Sequence, residues 1–140
     1  MNDFAGFRRR ETVFLEGLTG RYDFAVSHIC PAQPDVHPGG AFDIEDATYR
    51  RWNDALARLG VKFMLCGHMH DAYILEKNDP ASLRPHEYPV VVGSFMRYDK
   101  EFWAASMTLS GDTLTVRFTD PDHTVREEHV LGLTEGRCIR

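Results

Sequence analysis

The stretch "VKFMLCGHMH", residues 61 to 70, joins an apolar run to a glycine and two histidines. Residues 61 to 66 have the length and composition of a buried strand. Gly67 allows the chain to leave this strand sharply, because glycine has no Cβ that would clash. His68 and His70 are therefore expected at the carboxyl end of a strand, where ligands collect in open α/β sheets.

The residues before this stretch predict a strand–helix–strand unit. "YDFAV", residues 22 to 26, is a short apolar strand, and a proline-rich loop follows it. From about Asp43 to Leu59, apolar side chains recur at helical spacing, and Asp43 is suited to cap the helix. Gly60 then ends the helix by accepting a left-handed backbone. This order predicts a right-handed parallel crossover between the two strands.

A third histidine, His28, follows the first strand of this unit. Parallel neighbouring strands end at the same edge of a sheet, so His28 is expected near His68 and His70. Neutral imidazole is a common ligand for transition metals, so the three histidines are candidate metal ligands. The alternative is a pair of turn histidines that are hydrogen-bonded to the backbone.

The remainder of the chain has the pattern of β-structure. Leu114, Val116 and Phe118 alternate with polar residues, which predicts a half-buried antiparallel strand. An N-terminal helix is expected to place Phe7 and Phe14 on one apolar face. The fold class is therefore a mixed α/β fold in a single domain over residues 1 to 140. In the second half, four segments read as successive strands: residues 88–95, 102–110, 113–119 and 123–131.

Composition excludes some classes of function. The chain has 140 residues, of which 43% are hydrophobic and 26% charged, which is typical of a soluble globular protein. Its net charge of −5 argues against a nucleic-acid partner, which requires a basic surface. No apolar run approaches the roughly 20 residues that span a membrane. Three scattered cysteines, Cys30, Cys66 and Cys138, favour reduced thiols and a cytoplasmic location.

These motifs, taken in order, resemble the C-terminal half of a calcineurin-like metallophosphoesterase. The matching features are "SH" after a strand, "CGHMH" after the next strand, and "YPVVVGS" before an antiparallel run. The resemblance covers about residues 7 to 120. It implies a four-layer α/β/β/α sandwich and two divalent ions, Mn, Fe or Zn, which hydrolyse phosphomonoesters or phosphodiesters. It also implies that His28 and His68 bind the second metal and that His70 binds the first.

The motifs that the family carries in its first half are not found in their expected context. The family has D-x-H, G-D and G-N-H motifs there. "DVH", from Asp35 to His37, lies in the proline-rich loop, "GD" at Gly111 and Asp112 is a turn, and G-N-H does not occur. We therefore expect a partial metallophosphoesterase domain with little or no activity alone. The alternative is a non-catalytic interaction or accessory domain on the same scaffold.

Two further expectations concern surfaces and the remaining metal-binding residue types. A half-sandwich leaves apolar surface exposed, so we expect a homodimer that buries it. Cys30 and Cys66 lie two residues from histidines and form an alternative zinc site, although small buried thiols are the simpler interpretation. The other histidines have no partner pattern and are expected in turns or in solvent: His37, His86, His123 and His129.

Overall fold

The computed structural model describes residues 3–32, 44–93 and 102–140 and has a mixed α/β architecture with two four-stranded sheets. None of the described helices is long and apolar enough to cross a membrane. The elements in chain order are α1 Phe4–Gly17, β1 Phe24–Ser27, α2 Asp46–Arg58, β2 Phe63–Cys66, β3 Tyr73–Leu75, β4 Val90–Val92, β5 Ala104–Ser110, β6 Thr113–Thr119, β7 Val125–Gly132 and β8 Arg137–Cys138.

The first sheet has the strand order β1-β2-β4-β3. The expected parallel pairing of β1 with β2 is confirmed, with Phe24 opposite Phe63 and Ser27 opposite Cys66. The strand expected at residues 88–95 includes β4, which pairs parallel with β2 and antiparallel with β3. All three residues of β4 are buried. Burial on both faces is typical of parallel strands and explains the uninterrupted valine run.

The second sheet is antiparallel, in the order β5-β6-β7-β8. The strand expected at residues 113–119 is β6, and Gly111 forms the turn before it with a φ of 58°. The two-residue strand β8 lies in the C-terminal tail and pairs with Leu131 and Gly132. Two residues carry no periodicity, so the sequence did not predict this strand.

The described elements form three layers, in the order helices, first sheet, second sheet. One core lies between the helices and the first sheet and includes Leu56, Met64 and Val90. The other core lies between the two sheets and includes Phe63 and Phe118. The central strands β2 and β4 of the first sheet are thus covered on both faces. The four-layer arrangement implied by the resemblance has one layer more than these described elements form.

The N-terminal helix packs differently from the expectation. Phe7 and Phe14 are exposed, whereas Thr12 is buried. The Thr12 hydroxyl accepts a hydrogen bond from Trp52 Nε1 at 2.7 Å. Arg58 donates to carbonyl oxygens in the last turn of α1 and just beyond it, which satisfies groups that helix ends leave unpaired. The buried side of α1 therefore combines these polar contacts with Leu15, which packs against the core, and Phe7 and Phe14 remain exposed.

The α2 helix begins at Asp46, and its N-cap residue Glu45 makes no side-chain capping bond. Asp43, the expected cap, lies outside the described residues. Gly60 follows the helix with a φ of 79°, in agreement with its expected role as a stop.

Candidate metal site at the carboxyl ends of β1 and β2

Two of the three candidate ligands lie side by side. His28 follows β1, and His68 lies two residues after β2, so the parallel pairing of these strands brings both rings to one edge of the sheet. His68 Nδ1 is 3.3 Å from His28 Nε2, and the ring centroids are 5.1 Å apart. The amide of Gly67 donates to the carbonyl oxygen of His28 at 3.0 Å, which ties the two loops together.

The separation of the two ring nitrogens fits joint coordination of one ion. Imidazole nitrogens bind Zn at about 2.0–2.1 Å, and in a tetrahedral site two such nitrogens are roughly 3.3–3.4 Å apart. The 3.3 Å between His28 and His68 agrees with that spacing. The same distance also permits a hydrogen bond between one protonated and one unprotonated nitrogen. The distance alone therefore fits two arrangements, a hydrogen-bonded pair and two ligands of one ion.

His68 and His70 carry the turn that follows β2. Their φ angles are 64° and 51°, in the left-handed region that side chains other than glycine seldom occupy. Gly67 was expected to allow this turn, but it is absent from the residues with positive φ. A Cβ built on Gly67 would make only ordinary contacts, 3.6 Å from the carbonyl oxygen of His28. Two histidines therefore bear the backbone strain, which is typical of functional loops.

The strain at His70 predicts an unusual order of variant stabilities. We expect His70→Gly to be more stable than His70→Ala by about 1–2 kcal/mol, because only alanine has a Cβ to clash in the left-handed region. At His129, within β7, the order should be reversed, since glycine weakens a strand interior. Urea denaturation of the four variants measures both differences. Equal stability of the two variants at His70 would contradict the conformation of this turn.

The third candidate ligand is separate from the pair. His70 is exposed. Among the residues that the structure describes, no three His, Cys, Asp or Glu side chains lie close enough together to hold a metal ion. The assignment of His70 as a ligand therefore remains a prediction. Asp35 and His37, which form the "DVH" pattern, lie outside the described residues.

Two buried cysteines lie beneath the histidine pair. Cys30 is fully buried, Cys66 is 6% exposed, and their thiols are in hydrogen-bonding contact. This hydrogen bond and burial both raise the pKa of Cys66, so the neutral thiol is favoured. Among the residues that the structure describes, these two cysteines belong to no group of three side chains that could hold a metal ion. Both belong to the core between the helices and the first sheet, which agrees with the interpretation as small buried residues.

The expectation for His86 was wrong, because this residue is fully buried. Its Nδ1 lies 2.6 Å from the carbonyl oxygen of Tyr88, and its Nε2 has no hydrogen-bond partner. His86 lies between Pro85 and Glu87, in a segment without apolar periodicity, so the sequence did not predict its burial. His123 is exposed in a turn, as expected, and His129 lies 3.0 Å from Glu127.

The burial of His86 predicts a dependence of stability on pH. Burial lowers the pKa of His86 below its usual 6.5, so below that pH the unfolded chain takes up a proton that the folded chain resists. Stability should therefore fall as pH drops below about 6.5, by up to about 1.4 kcal/mol per pH unit from this group. His86→Gln should show a flatter profile than the unmodified chain in denaturation at pH 5 to 8. Parallel profiles would contradict a neutral buried imidazole.

Comparison with known proteins yields no match, either to a family model or to a curated sequence. The resemblance to metallophosphoesterases thus depends on the short motifs and their placement on the strands.

Proposed function

We propose that this chain provides the second-metal histidines of a calcineurin-like metallophosphoesterase. The observation that carries the proposal is the 3.3 Å separation of His28 Nε2 and His68 Nδ1 at the ends of two parallel strands. A divalent ion bound there, Mn, Fe or Zn, would polarise a phosphate ester and supply a metal-bound hydroxide. The substrate class is a phosphomonoester or a phosphodiester.

The layered fold supports the proposal at a coarser level. Two sheets packed face to face, with helices outside the first, correspond to three layers of the four-layer α/β/β/α sandwich. In that family the carboxyl ends of the strands carry the metal ligands, and His28 and His68 occupy such positions. His70, two residues further along, is the proposed ligand of the first metal.

This chain alone is proposed to be inactive or nearly so. Two or three imidazoles bind one ion, but a dinuclear centre also needs a bridging carboxylate to hold the ions about 3.5–4 Å apart. The sequence has no G-N-H motif, and its "GD" lies in the turn between β5 and β6. The remaining ligands must come from other polypeptide segments. A phosphate ester is therefore the proposed substrate of the assembled enzyme.

Metal-dependent binding of inorganic phosphate tests the proposal without requiring turnover. We expect phosphate to bind the chain when Zn or Mn is present, and the signal to disappear in His28→Ala and His68→Ala. Isothermal titration of phosphate into the metal-loaded and metal-free chain measures this. Phosphate binding that does not depend on metal would overturn the proposal. Turnover of an aryl phosphate by this chain at about 1 per second or faster would contradict its expected inactivity alone.

The alternative is a non-catalytic interaction domain on the same scaffold. It is favoured by the absence of a group of three metal-ligand side chains among the described residues. Under this alternative the histidine pair is a hydrogen-bonded link between two loops. Failure of both histidine variants to change metal binding, together with a loss of thermal stability in each, would favour it.

A further inference from the structure

The outer strand of the second sheet, β5, lacks the usual protection of an edge strand. Within the described part of the chain, β5 has one strand neighbour, β6. Its sequence, AASMTLS from Ala104 to Ser110, contains no charged residue and no proline. Isolated edge strands are normally protected by charges, prolines, bulges or short length, because their unpaired backbone groups attract other strands. A seven-residue uncharged edge therefore indicates that another strand pairs with it.

The opposite end of this sheet is protected. There β8 has only two residues, and the amide of Cys138 donates to Glu76 Oε1 at 2.8 Å. The amide of Lys77 also donates to the carbonyl oxygen of Gly136 at 2.7 Å. These bonds join the β8 end to the residues that follow β3 in the first sheet. The two sheets are thus connected at the edges formed by β3 and β8, and β1 and β5 form the two opposite edges.

The face of β5 that points towards the first sheet is apolar but uncovered. The register places Met107 opposite Val116 and Leu109 opposite Leu114, and both β6 residues are buried between the sheets. Directly opposite residues share a face in an antiparallel pair. Met107 and Leu109 are nevertheless 39% and 46% exposed. Among the elements that the structure describes, none covers the core between the sheets beyond β5.

We propose that β5 pairs antiparallel with β5 of a second copy of this chain, about a two-fold axis at Met107. The sequence around Met107 is self-complementary in this register. On the inner face, Ala105 would lie opposite Leu109 of the second copy, and the two Met107 side chains would meet. On the outer face, Ser106 would lie opposite Thr108, a pairing that favours hydroxyl hydrogen bonds. No charged side chain enters the new contact, and the interface is the same on both subunits.

The exposed surface of β1 supports the same arrangement. Phe24 and Val26 lie opposite Phe63 and Leu65, on the face of the first sheet that points towards the second. They are 51% and 72% exposed, because the second sheet ends at β5 on this side. In the dimer, the second copy extends that sheet beyond β5 and supplies apolar side chains to cover them. One symmetric contact therefore buries apolar residues of both sheets.

Introducing a charge at Met107, on the proposed two-fold axis, tests this interface. Met107→Lys would place two ammonium groups opposite each other, and Met107→Glu would do the same with two carboxylates. Each variant alone is expected to dimerise at least about tenfold more weakly than the unmodified chain, because like charges across an interface repel. A mixture of the two variants should form a heterodimer, since opposite charges then face each other. Sedimentation velocity and native mass spectrometry measure the three cases.

Val125→Lys is the matched control, because Val125 is 48% exposed on β7, away from the proposed contact. It should leave the dimer unchanged, and circular dichroism should show that all three variants fold. Three results would overturn the proposal: an unmodified chain that stays monomeric over about two decades of concentration, a dimer that survives Met107→Lys, and a mixture that forms no heterodimer. Open-ended oligomers would also overturn it, because a two-fold contact closes on itself.

Discussion

Phe118→Ala is expected to destabilise the fold by about 3–5 kcal/mol, the usual cost of removing a buried phenylalanine. Phe118 is fully buried in β6, within the core between the two sheets. Its loss leaves a cavity at the contact between the antiparallel second sheet and the mixed first sheet. Domains of this size have a free energy of unfolding of only about 5–15 kcal/mol, so this substitution removes a large part of it. Chemical denaturation, followed by tryptophan fluorescence, measures the change.

Phe14→Ala provides the matched comparison, because Phe14 is 59% exposed on α1. The same side chain is removed, but little burial is lost, so the expected change is within about 0.5 kcal/mol. A loss in Phe118→Ala as small as that in Phe14→Ala would mean that the sheets do not pack through β6. A loss in Phe14→Ala as large as that expected for Phe118→Ala would contradict the exposure of Phe14 on α1.

The second large effect concerns metal affinity. His28→Ala and His68→Ala are each expected to weaken Zn binding by at least about 100-fold. Mutating a residue that only hydrogen-bonds to a metal ligand already costs about 10–100-fold in affinity, and removal of the ligand itself should cost at least as much. The physical reason is that two imidazole nitrogens 3.3 Å apart act as one chelating pair. Either variant should therefore cost nearly as much as the double variant. Calorimetric titration with Zn measures all three affinities.

His123→Asn is the control for this experiment. His123 is exposed in a turn with a φ of 62°, which asparagine tolerates. The His123→Asn variant should bind Zn with the same affinity as the unmodified chain. Affinity losses that add independently for His28 and His68, or an equal loss in the control, would contradict a shared site.

The closeness of His28 and His68 could be predicted from the sequence, because each residue follows a predicted strand and parallel neighbouring strands end at the same edge of a sheet. The alternation of apolar runs with one amphipathic helix indicated the parallel unit of β1, α2 and β2, and this unit alone brings His28 to His68. Both strands are short apolar runs, and the amphipathic helix between them is what identifies the unit. The histidine pair is therefore a consequence of topology, and a separation of 40 residues in the chain did not conceal it.

The features that the sequence did not reveal depend on contacts between distant single residues. Phe7 and Phe14 are exposed while Thr12 is buried and bonded to Trp52, a contact that no periodicity encodes. The buried position of His86 similarly depends on its tertiary surroundings. The parallel pairing of β4 was missed because β3 and the long connection after it separate β4 from β2 in the chain. Local patterns identify strands, whereas their order in a sheet is a tertiary property.

The turn after β2 also departed from the expectation for a physical reason. Glycine is the usual residue in left-handed backbone, so Gly67 was the natural candidate. The structure gives that conformation to His68 and His70 instead. Strained backbone at the residues proposed to bind metal is consistent with a loop whose geometry serves a ligand.

If His28 and His68 bind one ion together, both rings respond to the metal at the same point of a titration, which nuclear magnetic resonance of the imidazole nitrogens detects. Zn is titrated into the chain while long-range ¹H–¹⁵N spectra record each imidazole nitrogen. We predict that His28 Nε2 and His68 Nδ1 shift together and reach their end point at one Zn per chain, while His123 does not change. Shifts confined to other histidines, or a change at only one member of the pair, would contradict the claim.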